Sequence, residues 1–154
     1  MRMNLWNETK SVPISRAMIW EAYKHARSNK GSCGVDEIGW EAFESDRSKQ
    51  FYKLWNRMAS GSYFPPPVKE MEIPKKDGKL RKLGVPTMAD RIAQQAIRNY
   101  LEPRFESIFS NSSYGYRPGR SAHMALKQVQ QNCRRNDWVI DLDIKGFFDN
   151  INHD

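Results

Sequence analysis

The sequence predicts an α+β fold: a helical N-terminal lobe, a β-hairpin accompanied by helices, and a closing strand that carries carboxylates. Three observations predict it. Apolar residues recur at helical spacing over residues 15–58, two alternating runs flank Asp77-Gly78, and residues 138–144 alternate aliphatic with acidic side chains. The 154 residues, 39% of them apolar and 12% aromatic, suit one ordinary domain or two small lobes with a buried core.

The first helix is expected from Ser15 to Ala26, with Ile19, Ala22, Tyr23 and Ala26 on one stripe. The glycine-punctuated run Lys30-Gly31-Ser32-Cys33-Gly34 ends it. A second helix is expected from Trp40 to Met58, with Phe43, Phe51, Leu54, Trp55 and Met58 as core candidates. Pro65-Pro66-Pro67 closes that lobe, because proline fixes φ and donates no hydrogen bond. The hairpin spans residues 68–86 around the Asp77-Gly78 turn signal. A strict two-residue turn there would pair Lys76 with Lys79 and leave Lys75 and Arg81 on opposite faces; a longer or bulged loop would reunite them. Thr87 is placed to cap a helix running through Leu101 before Pro103, and Ser121 to cap another from Ala122 to about Cys133. In Trp138-Val139-Ile140-Asp141-Leu142-Asp143-Ile144 the three aliphatic residues share one strand face and Asp141 and Asp143 the other, a plausible metal platform.

Charge is unevenly placed within a net +7. Residues 1–66 hold ten Lys/Arg and seven Asp/Glu, residues 67–135 fourteen and six, and residues 136–154 one and five. A basic middle followed by an acidic end suits a phosphate-rich polymer beside a cation site; a solvated surface accounts for it as well. No window is apolar enough to span a membrane, and the N-terminus lacks the apolar stretch of a secretory signal. Cys33 and Cys133 stand far apart in no CxxC pair, and His25, His123 and His153 make no ligand set, so neither a disulfide framework nor a zinc site is indicated. A soluble, cytoplasmic protein with no membrane association is expected.

The order of these pieces resembles a known family. Gly34-Val35-Asp36, the run Ile73 to Pro86, Asp90-Arg91-Ile92-Ala93-Gln94-Gln95-Ala96 and Leu101 to Glu106 are similar to successive blocks of group II intron-encoded reverse transcriptases. Ser113-Tyr114-Gly115-Tyr116-Arg117-Pro118-Gly119-Arg120-Ser121 continues the series, and Asp143 to Ile151 resembles the first catalytic block of the palm. The Tyr-x-Asp-Asp block, thumb and maturase region of such enzymes are not in this sequence.

The resemblance implies a division into a helical N-terminal extension (1–66), fingers (67–135) and the beginning of a palm (136–154). It implies RNA-directed DNA polymerisation in a complete enzyme, with two Mg²⁺ ions, template and intron RNA, a DNA primer and dNTPs. The stretch alone is expected to be inert, and self-association through a surface left open is a candidate behaviour. Two-ion polymerase chemistry needs a few carboxylates around hard cations. By the match, Asp143 is the catalytic carboxylate and metal ligand, and the Ile144 carbonyl a second ligand oxygen. Asp141 lies outside the motif, and Asp149 is read as a turn residue. Lys75 and Arg81 match the pair that holds the triphosphate, where the planar fork of arginine suits phosphate oxygens. Phe148 matches the aromatic beneath the incoming sugar, which would exclude a 2′-hydroxyl. Arg91, Arg117 and Arg120 are expected at the template or nucleotide pocket, with a structural ion pair as the competing role. Lys76, Lys79 and Lys82 are expected on the phosphate backbone. Two other readings stay open: an RNA-binding maturase-like module with a vestigial polymerase site, and a retron or diversity-generating reverse transcriptase.

Overall fold

The computed structural model describes residues 12–76, 78–144, 146–147 and 150–152. The elements run α1 (Arg16–Ser28), α2 (Trp40–Ser45), α3 (Arg47–Ala59), β1 (Lys69–Pro74), β2 (Leu80–Val85), α4 (Met88–Glu106) and α5 (Ala122–Cys133). They fall into two compact units, Met1–Phe105 and Glu106–Asp154.

The first unit is built on the expected stripes. Ser15 caps α1, its Oγ accepting from the Met18 N–H at 3.2 Å, and Ile19, Ala22, Tyr23 and Ala26 are buried. They pack with Trp40, Phe43 and Leu54 and with Met88, Ile92, Ala93 and Ala96 of α4, so the helix after the hairpin shares the core of the N-terminal helices. Phe43, Ile19, Met88 and Ile92 are the largest side chains wholly removed from solvent. Four aromatic contacts join Tyr23, Trp40, Phe43 and Phe51, with ring centroids 5.0–6.1 Å apart. Gly34 permits a close approach: a Cβ there would lie 2.7 Å from the Thr87 backbone nitrogen.

The expected helix from Trp40 to Met58 is two helices. It breaks at Asp46, whose backbone (φ −121°, ψ 33°) is not helical, and Ser45 Oγ donates back to the Ala42 carbonyl at 2.8 Å. Short polar side chains that bond to nearby backbone compete with helix continuation. The helix expected to stop before Pro103 instead runs through it to Glu106. Surface pairs brace that last turn: Arg98 with Glu102 at 2.9 Å, and the Arg104 guanidinium 4.2 Å from the Tyr100 ring centre.

β1 and β2 pair antiparallel from Lys69↔Val85 to Pro74↔Leu80. In the second unit Ser121 caps α5 as expected, its Oγ accepting from the Met124 N–H at 3.3 Å. The strand expected over residues 138–144 does not form: the segment has no regular structure. A strand exists only where a neighbour accepts its hydrogen bonds, and among the described residues none pairs with it. Its aliphatic face is accordingly exposed, Ile140 at 83%, Leu142 at 88% and Ile144 at 70%.

Candidate functional site

The hairpin loop decides where the lysines and arginine go. The Gly78 N–H donates to the Lys75 carbonyl at 3.1 Å, and the Lys75 N–H donates to the Lys79 carbonyl at 2.7 Å. Three residues, 76 to 78, therefore separate the last cross-strand pair, and Gly78 takes the left-handed backbone (φ +78°) that such a bulged turn needs. The strict two-residue turn is thereby corrected. With Ile73 opposite Arg81 and Lys75 opposite Lys79, side-chain alternation brings Lys75, Lys79 and Arg81 onto one face with Met71, Ile73 and Leu83. The other face carries Glu70, Glu72 and Lys82, and Lys82 Nζ lies 2.9 Å from Glu70 Oε1. Lys76 stands in the turn. Pro74 is accommodated because, by the same alternation, its position owes the ladder no N–H.

Arg91 supports the base of the hairpin from α4. Its Nη1 donates to the Lys30 carbonyl at 3.2 Å and its Nη2 to the Ser32 carbonyl at 2.5 Å. The Trp40 indole N–H also donates to the Lys30 carbonyl, at 3.1 Å, and the Ser32 hydroxyl lies 4.0 Å from Met71 Sδ of β1. Arg91 thus fixes the loop that touches the cationic face of the hairpin. Immediately before it in the chain, buried Asp90 accepts from Tyr63 Oη at 3.0 Å and Gln94 Nε2 at 2.7 Å, while its own N–H donates to the Thr87 hydroxyl at 3.2 Å. Burial, then the hydrogen bond to Asp90, pushes the Tyr63 phenol well above its usual range. The Thr87-x-x-Asp90 spacing marks a helix start in the sequence, but the distant Tyr63 partner leaves no local signal.

Arg117 and Arg120 lie in the second unit. The Arg117 side chain is only 6% exposed; its Nε and Nη2 donate to the Glu106 carboxylate at 2.7–3.2 Å, and its Nη1 to the Ser110 and Ser113 carbonyls at 2.6 and 2.9 Å. These bonds hold the Glu106 carboxyl below the ordinary carboxylate range. Arg120 donates to the Asn111 carbonyl at 3.3 Å and stacks 5.4 Å from the Tyr114 ring centre. Both arginines therefore brace the loop between α4 and α5. Glu106, passed over in the sequence, is the residue that anchors Arg117; eleven positions of loop hide the pairing from any periodicity.

Asp143, Ile144 and Asp141 are exposed in the irregular segment of the second unit, whereas the hairpin belongs to the first. No group of three or more His, Cys, Asp or Glu side chains that could hold a metal ion occurs among the described residues, so Asp143 offers one carboxylate and not a complete ligand set. Phe148 and Asp149 lie outside the described residues. No helix among the described residues is long and apolar enough to cross a membrane.

Comparison with known proteins agrees with these motifs. The family model described as reverse transcriptase (RNA-dependent DNA polymerase) matches residues 73–154, more than half of the chain. The group II intron-encoded protein LtrA of Lactococcus lactis subsp. cremoris is 39% identical over 139 residues, covering 88% of this chain and 23% of LtrA. Protein YkfC of Escherichia coli K12 is 38% identical over 140 residues, 86% of this chain and 37% of YkfC. Nuclear intron maturase 1, mitochondrial, of Arabidopsis thaliana is 31% identical over 80 residues, half of this chain and 11% of that protein. The chain therefore spans well under half the length of these relatives. Its matched hairpin, α4 and arginine-braced loop, together with this similarity to group II intron-encoded proteins, make it a member of the reverse transcriptase (RNA-dependent DNA polymerase) family.

Proposed function

We propose that this chain serves RNA-directed DNA polymerisation of the group II intron type, supplying the face that receives the incoming dNTP and part of the surface that grips RNA. The observation that carries the proposal is the hairpin register, in which Lys75 and Arg81 share one face whose described strand residues include no acidic one. Arginine binds phosphate oxygens through a planar fork and lysine as a point charge, so the pair is chemically suited to a triphosphate. In this reading residues 1–66 are the N-terminal extension, 67–135 the fingers and 136–154 the opening of the palm, and the protein works in the cytoplasm. Asp143, with the Ile144 carbonyl, contributes to a divalent-ion site whose other ligands lie elsewhere, and Mg²⁺ there would supply charge stabilisation to phosphoryl transfer. Phe148 is the candidate for excluding a ribose 2′-hydroxyl. Arg91, Arg117 and Arg120 act on template and nucleotide through the loops they brace, and Lys76, Lys79 and Lys82 meet RNA phosphates. Intron RNA, template RNA and a DNA primer are the proposed partners.

RNA binding by the 154-residue chain tests the gripping surface. Affinity for unrelated RNAs should fall log-linearly with salt, because phosphate contacts release counterions and carry no sequence information. The Lys76→Ala/Lys79→Ala/Lys82→Ala variant should bind more weakly with a flatter slope. An unchanged slope would move RNA contact away from the hairpin.

A further inference from the structure

In each strand of the hairpin five of six residues are exposed, and only Val85, at the base of β2, is buried. Packing along the strands therefore does little to set the direction in which the hairpin leaves the helical lobe. We infer that the hydrogen bond from Tyr63 to Asp90 is a clamp at the hairpin root that sets this direction, which makes Tyr63 and Asp90 positioning residues for the face that carries Lys75 and Arg81. Their part in nucleotide binding rests on reading the hairpin as the element that receives the dNTP.

Tyr63 stands on the chain that enters β1 and Asp90 on the chain that leaves β2, so the 3.0 Å bond between them ties the two legs of the hairpin together. Both legs are stiff. Pro65, Pro66 and Pro67 fix φ between Tyr63 and β1. On the other leg Pro86 does the same, and Thr87, 3% exposed, is crowded by Gly34, where a Cβ would lie 2.7 Å from its nitrogen. A shift at either end of the clamp therefore reaches the strands and is not absorbed on the way. Asp90 is held on its own side: it is 4% exposed, and Gln94 Nε2 donates to its second carboxylate oxygen at 2.7 Å. Tyr63 is held less by shape. Its ring packs against the core on part of its surface only, because it borders two cavities of about 680 and 350 Å³. The phenol is what fixes it. Burial, then the bond to Asp90, keeps that hydroxyl protonated well above its usual range, so it remains a donor at neutral pH. A carboxylate acceptor makes this bond stronger than one between neutral groups.

The contact between Ser32 and Met71, whose Oγ and Sδ lie 4.0 Å apart, reports where the hairpin sits against the lobe. The test follows the NMR cross-peak between the Met71 ε-methyl and the Ser32 β-protons in the 154-residue chain, beside its denaturation midpoint. Tyr63→Phe, which removes only the hydroxyl, should weaken the cross-peak at least twofold and shift the amides of residues 69–74 and 80–85, while those of α1 stay in place. Asp90→Asn should keep the cross-peak, since the amide oxygen still accepts from Tyr63 and the Gln94 amide can turn to accept from the new NH₂. Tyr52→Phe, at an exposed tyrosine of α3, is the hydroxyl control and should change nothing. A Tyr63→Phe chain with a lowered midpoint but the wild-type cross-peak would show a merely structural bond and overturn the clamp. The nucleotide consequence is read on the product of the full reading frame, where Tyr63→Phe should raise the dNTP KM about threefold to tenfold with kcat within twofold. If Arg81→Ala raises that KM and Tyr63→Phe does not, the positioning role fails and the nucleotide-binding reading stands. If Arg81→Ala is silent as well, the nucleotide-binding reading falls, and the positioning role with it.

Discussion

The two units of this chain carry apolar patterns of similar clarity and put them to opposite use. In the first, the stripe of α1 meets α2, α3 and the start of α4, and Phe43 is left 2% exposed. In the second, no described apolar residue is buried, and the row Ile140, Leu142, Ile144 faces solvent. There the loop from Glu106 to Arg120 is held by polar bonds, above all those of Arg117. Periodicity thus states which residues share a face; whether that face closes a core depends on a neighbour that the pattern does not mention.

The largest expected effect breaks the first unit. Phe43→Ala should lower its unfolding free energy by about 3–5 kcal/mol, the cost of truncating a buried aromatic and leaving a cavity. Leu142→Ala, at a residue 88% exposed, should leave chemical denaturation within about 0.5 kcal/mol of wild type. A comparable loss from both would mean that the exposed row is packed in solution.

A smaller, local effect is expected in the second unit. Arg117→Ala removes the donors that hold Glu106, Ser110 and Ser113, so amide exchange should quicken over residues 107–117 while the first unit keeps its denaturation midpoint. Arg117→Lys should restore little, because one ammonium cannot serve a carboxylate and two carbonyls in a fork geometry. Unchanged exchange in Arg117→Ala would assign the order of that loop to something other than this side chain.

How much of this was legible beforehand follows from where each signal is stored. The α1 stripe, the Thr87 and Ser121 caps and the existence of the hairpin are local, and all are found. The break at Asp46 and the passage of α4 through Pro103 are also local, but each is a contest between small terms that residue spacing does not weigh. The hairpin loop was ambiguous because Asp77-Gly78 suits either a two-residue turn or a bulged one, and one residue of difference moves Lys75 to the other face. The hydrogen bonds of Arg91 to Lys30 and Ser32, and the Glu106–Arg117 pair, connect positions far apart or across irregular loop, where no periodicity exists. The strand over 138–144 failed because alternation supplies a face and not a partner.

The smallest expected effect concerns pH, and again separates the units. Glu44 accepts from Tyr23 Oη and Arg27 Nε, both at 2.6 Å, and those bonds lower its carboxyl pKa. Glu106 is lowered by Arg117. A carboxylate whose folded pKa is depressed stabilises the fold fully above its unfolded value, roughly 4.3, and loses that contribution as pH falls through the folded value. Acidification should therefore loosen both units below about pH 4.5. Glu44→Gln should flatten the pH dependence of the first unit, followed by tryptophan fluorescence, and Glu106→Gln that of loop exchange in the second. A pH profile unaltered by either substitution would place the acid sensitivity in other carboxylates.

The central claim is that the cationic hairpin face and Asp143 serve one polymerase reaction. Primer extension on an RNA template by the product of the full reading frame, with wild type, Arg81→Ala and Asp143→Ala compared in kcat and KM for dNTP, tests it most directly. Arg81→Ala should raise the dNTP KM about tenfold, the loss of one charge-assisted phosphate contact, with a lesser change in kcat. Asp143→Ala should abolish extension while RNA affinity is retained. Extension at the wild-type rate by Asp143→Ala, or an unchanged dNTP KM in Arg81→Ala, would contradict the account.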